Sequence, residues 1–400
     1  MNPNNRGIQT PPRPAPARKP TPAPSHAPQR KEEIYVPMGF WIILATTLLL
    51  LLAMLITMTV LLCTANEPKP DVTPSGDKQT EQKDDNASTP VTPVRSAKTG
   101  ITLPSATKAG TYVYSPATAT DMSGNSRIGS QAAALIDVTN GRAVATKNGT
   151  QKIYPASMTK VMTLLVACEN AKDPTALLTV TDAMVAKYAT TDDASIAVAM
   201  QAGYQVTVED ALYMVIYKSD TYACWLLAEH IAGSEEAFVG MMNQRAASLG
   251  LSGTHFENCT GLYHDNHYTT CFDMAAIMAA AMNNEAATKV LTATQQYTAD
   301  IYINGTKRSD LAVPMWSGWY TGRLEKYRYG EAGAKWAGNG SDIALVAGKT
   351  GYEDIPKYCF VTAGKNSETG TLFVCVQVGG ASPRDSTDDT REIYQDYATY

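Results

Sequence analysis

Residues 131–170, QAAALIDVTNGRAVATKNGTQKIYPASMTKVMTLLVACEN, carry the reading that decides the fold. AAALIDV leads into Thr139-Asn140-Gly141, a turn suited to positive φ, and RAVATKN follows, which is the pattern of a β-hairpin. Pro155-Ala156-Ser157 then opens a helix through MTKVMTLLVAC, apolar on nearly every face and so expected to be buried. Within it Lys160 is the only charge between Lys152 and Glu169.

Working outward, Thr207-Val208-Glu209-Asp210 reads as a capped helix start, broken at Ser219-Asp220-Thr221 before a second helix that stops at Gly233. Ser234 caps a helix ending at Gly250, and Thr270-Cys271-Phe272-Asp273 starts the alanine-rich AAIMAAAM. Beyond these the chain turns to strands: residues 343–347, then YCFVTA and LFVCVQV joined by KNSETG, and a short helix from about Asp385. Strands from both ends with helices between them predict an α/β (α+β) domain, an antiparallel sheet with a helical lobe inserted in the middle.

The remaining sequence is organised differently. Of 22 prolines, 10 lie in residues 1–37 and seven between Pro68 and Pro116. Only the last stretch therefore has the composition of a large core. Residues 1–37 carry a net +4, leaving −9 to the rest, which argues against a nucleic-acid partner. No charge lies between Glu33 and Glu67, and WIILATTLLLLLAMLITMTVLLC within that gap is long enough to cross a bilayer. The basic flank precedes it, so the amino terminus is expected in the cytosol and the rest outside. The predicted plan is a disordered Pro-rich cytoplasmic tail (1–37), one transmembrane helix (38–63), a flexible extracellular linker (64–125) and a catalytic domain (126–400).

Three short motifs fall at meaningful places. Ser157-Met158-Thr159-Lys160 is S-x-x-K at a helix start, Ser219-Asp220-Thr221 is two-thirds of S-D-N, and Lys349-Thr350-Gly351 follows a buried strand. Spacing i,i+3 brings the Lys160 amine within reach of the Ser157 hydroxyl, and burial of a lone ammonium suits it to general-base work. Ser219, in a break between helices, can relay a proton to a leaving amine. Lys349 and Thr350 offer a charge and a hydroxyl to a substrate carboxylate, and Gly351 lets a peptide backbone approach the sheet edge. Order and element type give the set its weight, because Lys98-Thr99-Gly100 and Ser105-Ala106-Thr107-Lys108 repeat two of the patterns in the linker, where neither strand nor helix is expected.

With these residues in place, roughly residues 128–400 resemble the low-molecular-mass penicillin-binding proteins, serine-type D-Ala-D-Ala carboxypeptidases. AEHIAGSEEAFVGMMNQRAASLGLSGTHFENCTGLYHDNHYTT is similar to the family's middle segment and AGKTGY to its third motif. The resemblance implies a β-lactamase/transpeptidase-like fold with an all-helical lobe. It also implies Ser157 as acylated nucleophile, Lys160 as base, Ser219 as relay, and Thr221, Lys349, Thr350 and Gly351 as substrate binders, with Ser157 and Tyr352 N–H groups forming the oxyanion hole. The implied partners are a peptidoglycan stem peptide, whose terminal D-Ala is removed, and β-lactam antibiotics; no cofactor is implied. Two departures stand out: Thr221 replaces the usual Asn, and Phe272 replaces an Arg before Asp273. A β-lactamase or D-specific esterase, and a noncatalytic peptidoglycan or β-lactam sensor, are the alternatives.

His255, His264 and His267 lie near Glu257 and Asp265, but the stretch matches a family loop that needs no metal, and none is expected. Tyr297 to Trp336, with Trp316, Trp319, Tyr320 and Arg323, reads as a hairpin extension. Six cysteines follow the membrane segment, in a compartment that permits pairing, and Cys359–Cys375, Cys259–Cys271 and Cys168–Cys224 are the expected disulfides.

Overall fold

The computed structural model of the protein describes residues 93–110, 112–191, 200–317, 335–338 and 341–398. All belong to the unit Ala87–Tyr400. The expected tail, transmembrane helix and first part of the linker lie outside the described residues, as do Trp319, Tyr320 and Arg323.

Two short strands, β1 (Val94–Arg95) and β2 (Thr102–Leu103), pair as a hairpin ahead of β3 (Thr120–Asp121). The hairpin expected at the outset follows as β4 (Ala132–Asp137) and β5 (Arg142–Lys147). Its turn is held by Asp137, which accepts from the Asn140 backbone and side chain at 3.0 and 2.8 Å, while Gly141 takes φ +68°. A 3-10 turn, Ala156–Thr159, leads into α1 (Lys160–Asn170), buried from Lys160 through Cys168. The central elements are β6 (Leu177–Thr179), α2 (Asp182–Tyr188), β7 (Tyr204–Thr207), α3 (Val208–Tyr217), α4 (Thr221–Ala232), α5 (Glu235–Ser248), α6 (Cys271–Met282) and α7 (Glu285–Thr292). Thr207, Ser234 and Thr270 cap α3, α5 and α6 as the sequence predicts, and Asp220 caps α4, each accepting an N–H of the first turn. Then come β8 (Tyr297–Ile303), β9 (Thr306–Met315), β10 (Lys335–Gly338), β11 (Ser341–Glu353), β12 (Lys357–Asn366), β13 (Leu372–Gly380) and α8 (Pro383–Tyr397).

The main sheet has the order β10-β11-β12-β13-β4-β5-β3, with β13 antiparallel to β4, so the two ends of the domain meet at its centre. Side-chain alternation splits it into two faces. Ala134, Ile136, Val361, Ala363, Val374 and Val376 join the large core with the helices, whereas Leu135, Phe360 and Phe373 pack with Ile393 and Tyr394 of α8. That both faces are covered explains why AAALI is unbroken by polar residues.

The lobe is not all-helical. It carries a four-stranded sheet, β6-β7-β8-β9, in which Tyr297, Ala299 and Ile301 are buried in alternation along β8 and an Asn304-Gly305 turn at φ +49° and +73° closes the hairpin. Tyr297 to Met315 is thus the hairpin extension expected, joined to the lobe's own strands.

The linker boundary is also corrected. Ile101, Leu103, Tyr112 and Tyr114 are buried in the large core, so residues 93–110 and 112–125 fold with the domain, where a flexible linker was expected. Their few apolar side chains are too widely separated by Pro, Ser and Thr to show a period, and contacts distant in sequence order them.

All six cysteines are buried and none is in a disulfide, against the expected pairings. Cys375 lies opposite Thr362, three residues from Cys359, and the two thiols face opposite sides of the sheet. Cys259 donates to the Glu235 carboxylate at 3.2 Å and Cys224 to the Asp220 carbonyl at 3.3 Å, so neither turns toward its expected partner, Cys271 or Cys168. Burial pushes the Cys168 and Cys271 thiols up, out of the range of reactive thiols.

Candidate active site

The helix expected to begin at Ser157 begins as a 3-10 turn, and this sets the geometry of the first motif. In a 3-10 turn residues i and i+3 eclipse one another, which stacks Lys160 on Ser157. Lys160 Nζ lies 3.1 Å from Ser157 Oγ and donates to the Thr260 carbonyl at 2.6 Å. The lysine is 2% exposed and, among the described residues, no carboxylate is within ion-pair distance. An amine so placed has one hydrogen-bond direction fixed by a carbonyl and another aimed at the serine hydroxyl.

The turn itself is held under strain. Ala156 takes φ +47°, a conformation costing about 1–3 kcal/mol for a non-glycine residue. Gly261, at φ +85°, packs so closely that a Cβ there would come 2.0 Å from the Ala156 carbonyl oxygen. Only glycine fits. Asn258 shapes this loop by accepting from the Thr260 and Gly261 N–H groups at 3.2 and 2.7 Å, and Thr163 Oγ1 ties it to α1 by donating to the Cys259 carbonyl at 2.6 Å.

The second motif occupies the corner between α3 and α4. Ser219 stands just past the end of α3 in the left-handed region, φ +54°, where glycine is the usual occupant. Asp220 caps α4 by accepting from Ala223 N–H at 2.8 Å. The corner presents the Ser219 hydroxyl to Lys349, whose Nζ donates to Ser219 Oγ at 3.1 Å and to the Thr350 carbonyl at 2.7 Å. Gly351, two residues further along β11, brings the pairs together. A Cβ there would lie 3.2 Å from Ala156 Cβ and 3.3 Å from Ser157 N, so the strand runs against the Ser157 turn with no side chain between. Tyr352 follows, 46% exposed, its hydroxyl donating to Asp354 at 3.1 Å and its ring 4.6 Å from that of Tyr358.

The Ser157–Lys160 and Ser219–Lys349 pairs are therefore linked through β11, whose Gly351 abuts Ser157 two residues from Lys349, and Thr350 adjoins Lys349 on the same strand. Thr221, expected as a substrate binder, is fully buried in the first turn of α4. Asp273, without the family's Arg, is satisfied by the Gly253 N–H and Thr254 hydroxyl at 2.9 and 2.8 Å. Sequence reasoning missed Thr260, which acts through its backbone, and Gly261, whose only signal was the Asn258-x-x-Gly turn pattern. His255 and His264 face Glu257 at 3.6 and 4.0 Å on the surface, whereas His267 turns inward to Thr159. Among the described residues no cluster of His, Cys, Asp and Glu is arranged to hold a metal.

The profile of the family Peptidase S11, D-alanyl-D-alanine carboxypeptidase, matches residues 117–378. The D-alanyl-D-alanine carboxypeptidase DacF of Bacillus subtilis (strain 168) is 30% identical over 255 residues, which are 64% of this chain and 58% of DacF. The chain thus spans less than two thirds of that relative. The D-alanyl-D-alanine carboxypeptidase of Streptomyces sp. (strain K15) is 27% identical over 315 residues, 76% of this chain and 98% of the relative. The crystal structure of the Streptomyces K15 DD-transpeptidase superposes with a TM-score of 0.57 at 25% identity, covering 67% of this chain and 97% of that one. Penicillin binding protein 5 from Haemophilus influenzae shares the fold with a TM-score of 0.54 at 24% identity, covering 67% of this chain and 70% of its own. The family match spans more than half of the chain and contacts along β11 link the three motifs; this chain belongs to the S11 peptidases, the low-molecular-mass penicillin-binding proteins.

Proposed function

We propose that the protein is a membrane-anchored serine D-alanyl-D-alanine carboxypeptidase that removes the terminal D-Ala of peptidoglycan stem peptides through an acyl-serine intermediate and is acylated by β-lactams. The observation that carries the reading is the Ser157–Lys160 pair at 3.1 Å, with Lys160 buried and fixed by the Thr260 carbonyl. Lys160, unprotonated, takes the Ser157 proton as Oγ attacks the carbonyl carbon of the penultimate D-Ala. The Ser157 and Tyr352 N–H groups receive the oxyanion. Lys349 and Thr350 hold the terminal carboxylate, with Thr221 supporting the second motif from behind. Ser219, hydrogen-bonded to Lys349, gives its proton to the departing amine as the C–N bond breaks and takes in exchange the one Lys160 received from Ser157, so that both return to their starting states. Water then hydrolyses the acyl-serine ester and frees the enzyme. In a β-lactam the broken amide stays tethered, so the adduct persists. Residues 38–63 supply the anchor, with residues 1–37 in the cytoplasm and the catalytic domain outside.

The full-length protein in detergent should release D-alanine from a D-Ala-D-Ala peptide and take up fluorescent penicillin, and Ser157→Ala should do neither. Label on Ser157 without D-alanine release would support the sensor instead, and absence of label would refute the acyl-serine mechanism.

A further inference from the structure

His267 is 2% exposed and lies in the loop that follows Gly261. Its Nδ1 accepts the Glu257 N–H at 3.2 Å, so in the neutral ring the proton sits on Nε2, which is 2.9 Å from Thr159 Oγ1. Thr159 is the last residue of the turn, between Ser157 and Lys160, the first residue of α1. The ring packs edge-on against Phe256 at 5.5 Å, and Phe256 is fixed in turn by two bonds of 2.9 Å between its backbone and the Asn243 side chain. The imidazole thus belongs to a rigid loop and reaches the turn at a residue that bears no catalytic group.

We propose that neutral His267 is a positioning residue for acylation: its Nε2–H holds Thr159 and, through it, the turn that sets Ser157 Oγ against Lys160 Nζ. This rests on the acyl-serine reading above. Three bonds staple the loop to the start of α1: His267 to Thr159, Lys160 to the Thr260 carbonyl, and Thr163 to the Cys259 carbonyl. The second holds the base and the third lies a turn beyond it; only the first acts within the turn that bears the nucleophile. A Cβ on Gly261 would lie 3.0 Å from Thr159 Oγ1, so loop and turn are in contact there and a shift of one moves the other. Burial, with the like charges of His255, His264 and Lys160 behind it, holds the imidazole down at about 3, so the ring stays neutral through the working range. A proton on Nδ1 would break the Glu257 bond and put a positive charge in the loop that holds the turn.

The test measures the second-order acylation rate with fluorescent penicillin, and KM and kcat for a D-Ala-D-Ala peptide, on the full-length protein in detergent. His267→Phe keeps the ring's bulk without the donor and should slow acylation about 10- to 100-fold with KM nearly unchanged, the scale expected for displaced reacting groups. His267→Gln, whose amide can donate from about the Nε2 position, should recover most of that loss. Thr159→Val removes only the acceptor; it should match His267→Phe, and the double variant should lose no more than either single one. If His267→Phe fails to fold, Thr159→Val and His267→Gln carry the comparison. Rates within about twofold of wild type for Thr159→Val, or losses that add in the double variant, would overturn the proposal. Wild-type protein that takes no label would instead remove the acyl-serine reading on which it rests.

Discussion

Gly261 is the residue with least freedom to change. A methyl group at its Cα would come 2.0 Å from the Ala156 carbonyl oxygen, and φ +85° is already strained for any side chain. Gly261→Ala should lower stability by at least about 2 kcal/mol, combining backbone strain and overpacking. Because the relief must come from the nucleophile turn, acylation should fall more than the melting temperature implies, which a penicillin-uptake rate measured well below Tm will detect. His267 makes a prediction of its own. Its folded value is about 3, so between roughly 6.5, the ordinary imidazole value, and about 3 the unfolded chain holds a proton the folded chain does not. The contribution is complete above that window, is lost as pH falls through it at up to about 1.4 kcal/mol per pH unit, and levels off below. Thermal melts from neutral to acid pH should show a steeper decline for wild type than for His267→Gln; parallel curves would contradict it. At this scale the contact of Ser157 with Lys160 was legible because the i,i+3 spacing announces it. The Thr260 carbonyl was not, since a backbone acceptor has no residue type, and His267 looked like its surface neighbours His255 and His264 because burial is a property of the fold.

Among the elements, α3 has an unexpected support. Its first turn carries Glu209 and Asp210, both buried, and its last residue leads to Ser219. Ser96 donates to Glu209 at 2.5 Å and Thr99 bonds the same carboxylate. Lys98 pairs with Asp210 at 2.5 Å, donates to the Thr298 carbonyl at 2.8 Å, and lies 4.5 Å from the Tyr297 ring. The second Lys-Thr-Gly of the chain, expected to stand free of strands, is thus the turn between β1 and β2, docked on the helix that sets the second motif. Lys98→Met would leave Asp210, 1% exposed, with the Thr207 and Tyr297 hydroxyls but no cation. Because Lys98 is itself a third exposed, the expected loss is about 1–3 kcal/mol, read as a lower Tm. An unchanged Tm would show the turn to be dispensable. Helix caps and the first hairpin were readable because their signals are local. The sheet of the lobe was hidden because β6 and β7 are three and four residues long and pair with strands far along the chain.

For the molecule as a whole, the uneven distribution of proline and apolar residues sets a Pro-rich stretch and an apolar run apart from the domain, but it misplaces where folding begins. Ile101, Leu103, Tyr112 and Tyr114 each remove a large apolar side chain from water, worth about 1.5–3 kcal/mol apiece. Together that is comparable with the roughly 5–15 kcal/mol that hold an ordinary domain folded. A soluble chain begun at Ala87 should therefore melt cooperatively and take up penicillin, while one begun at Ser126 should aggregate or melt far lower. Equal stability of the two would mean that residues 93–125 only lie on the surface. The sheet built from both ends of the domain was foreseeable from strand order, since only such a closure buries AAALI on two faces.

The most direct test of the central claim is tandem mass spectrometry of the full-length protein after brief exposure to benzylpenicillin and digestion with trypsin. One penicilloyl adduct is expected on the peptide Ile153–Lys160, IYPASMTK, at Ser157, and none in Ser157→Ala. An adduct on another residue, or an unmodified IYPASMTK after full exposure, would contradict the account.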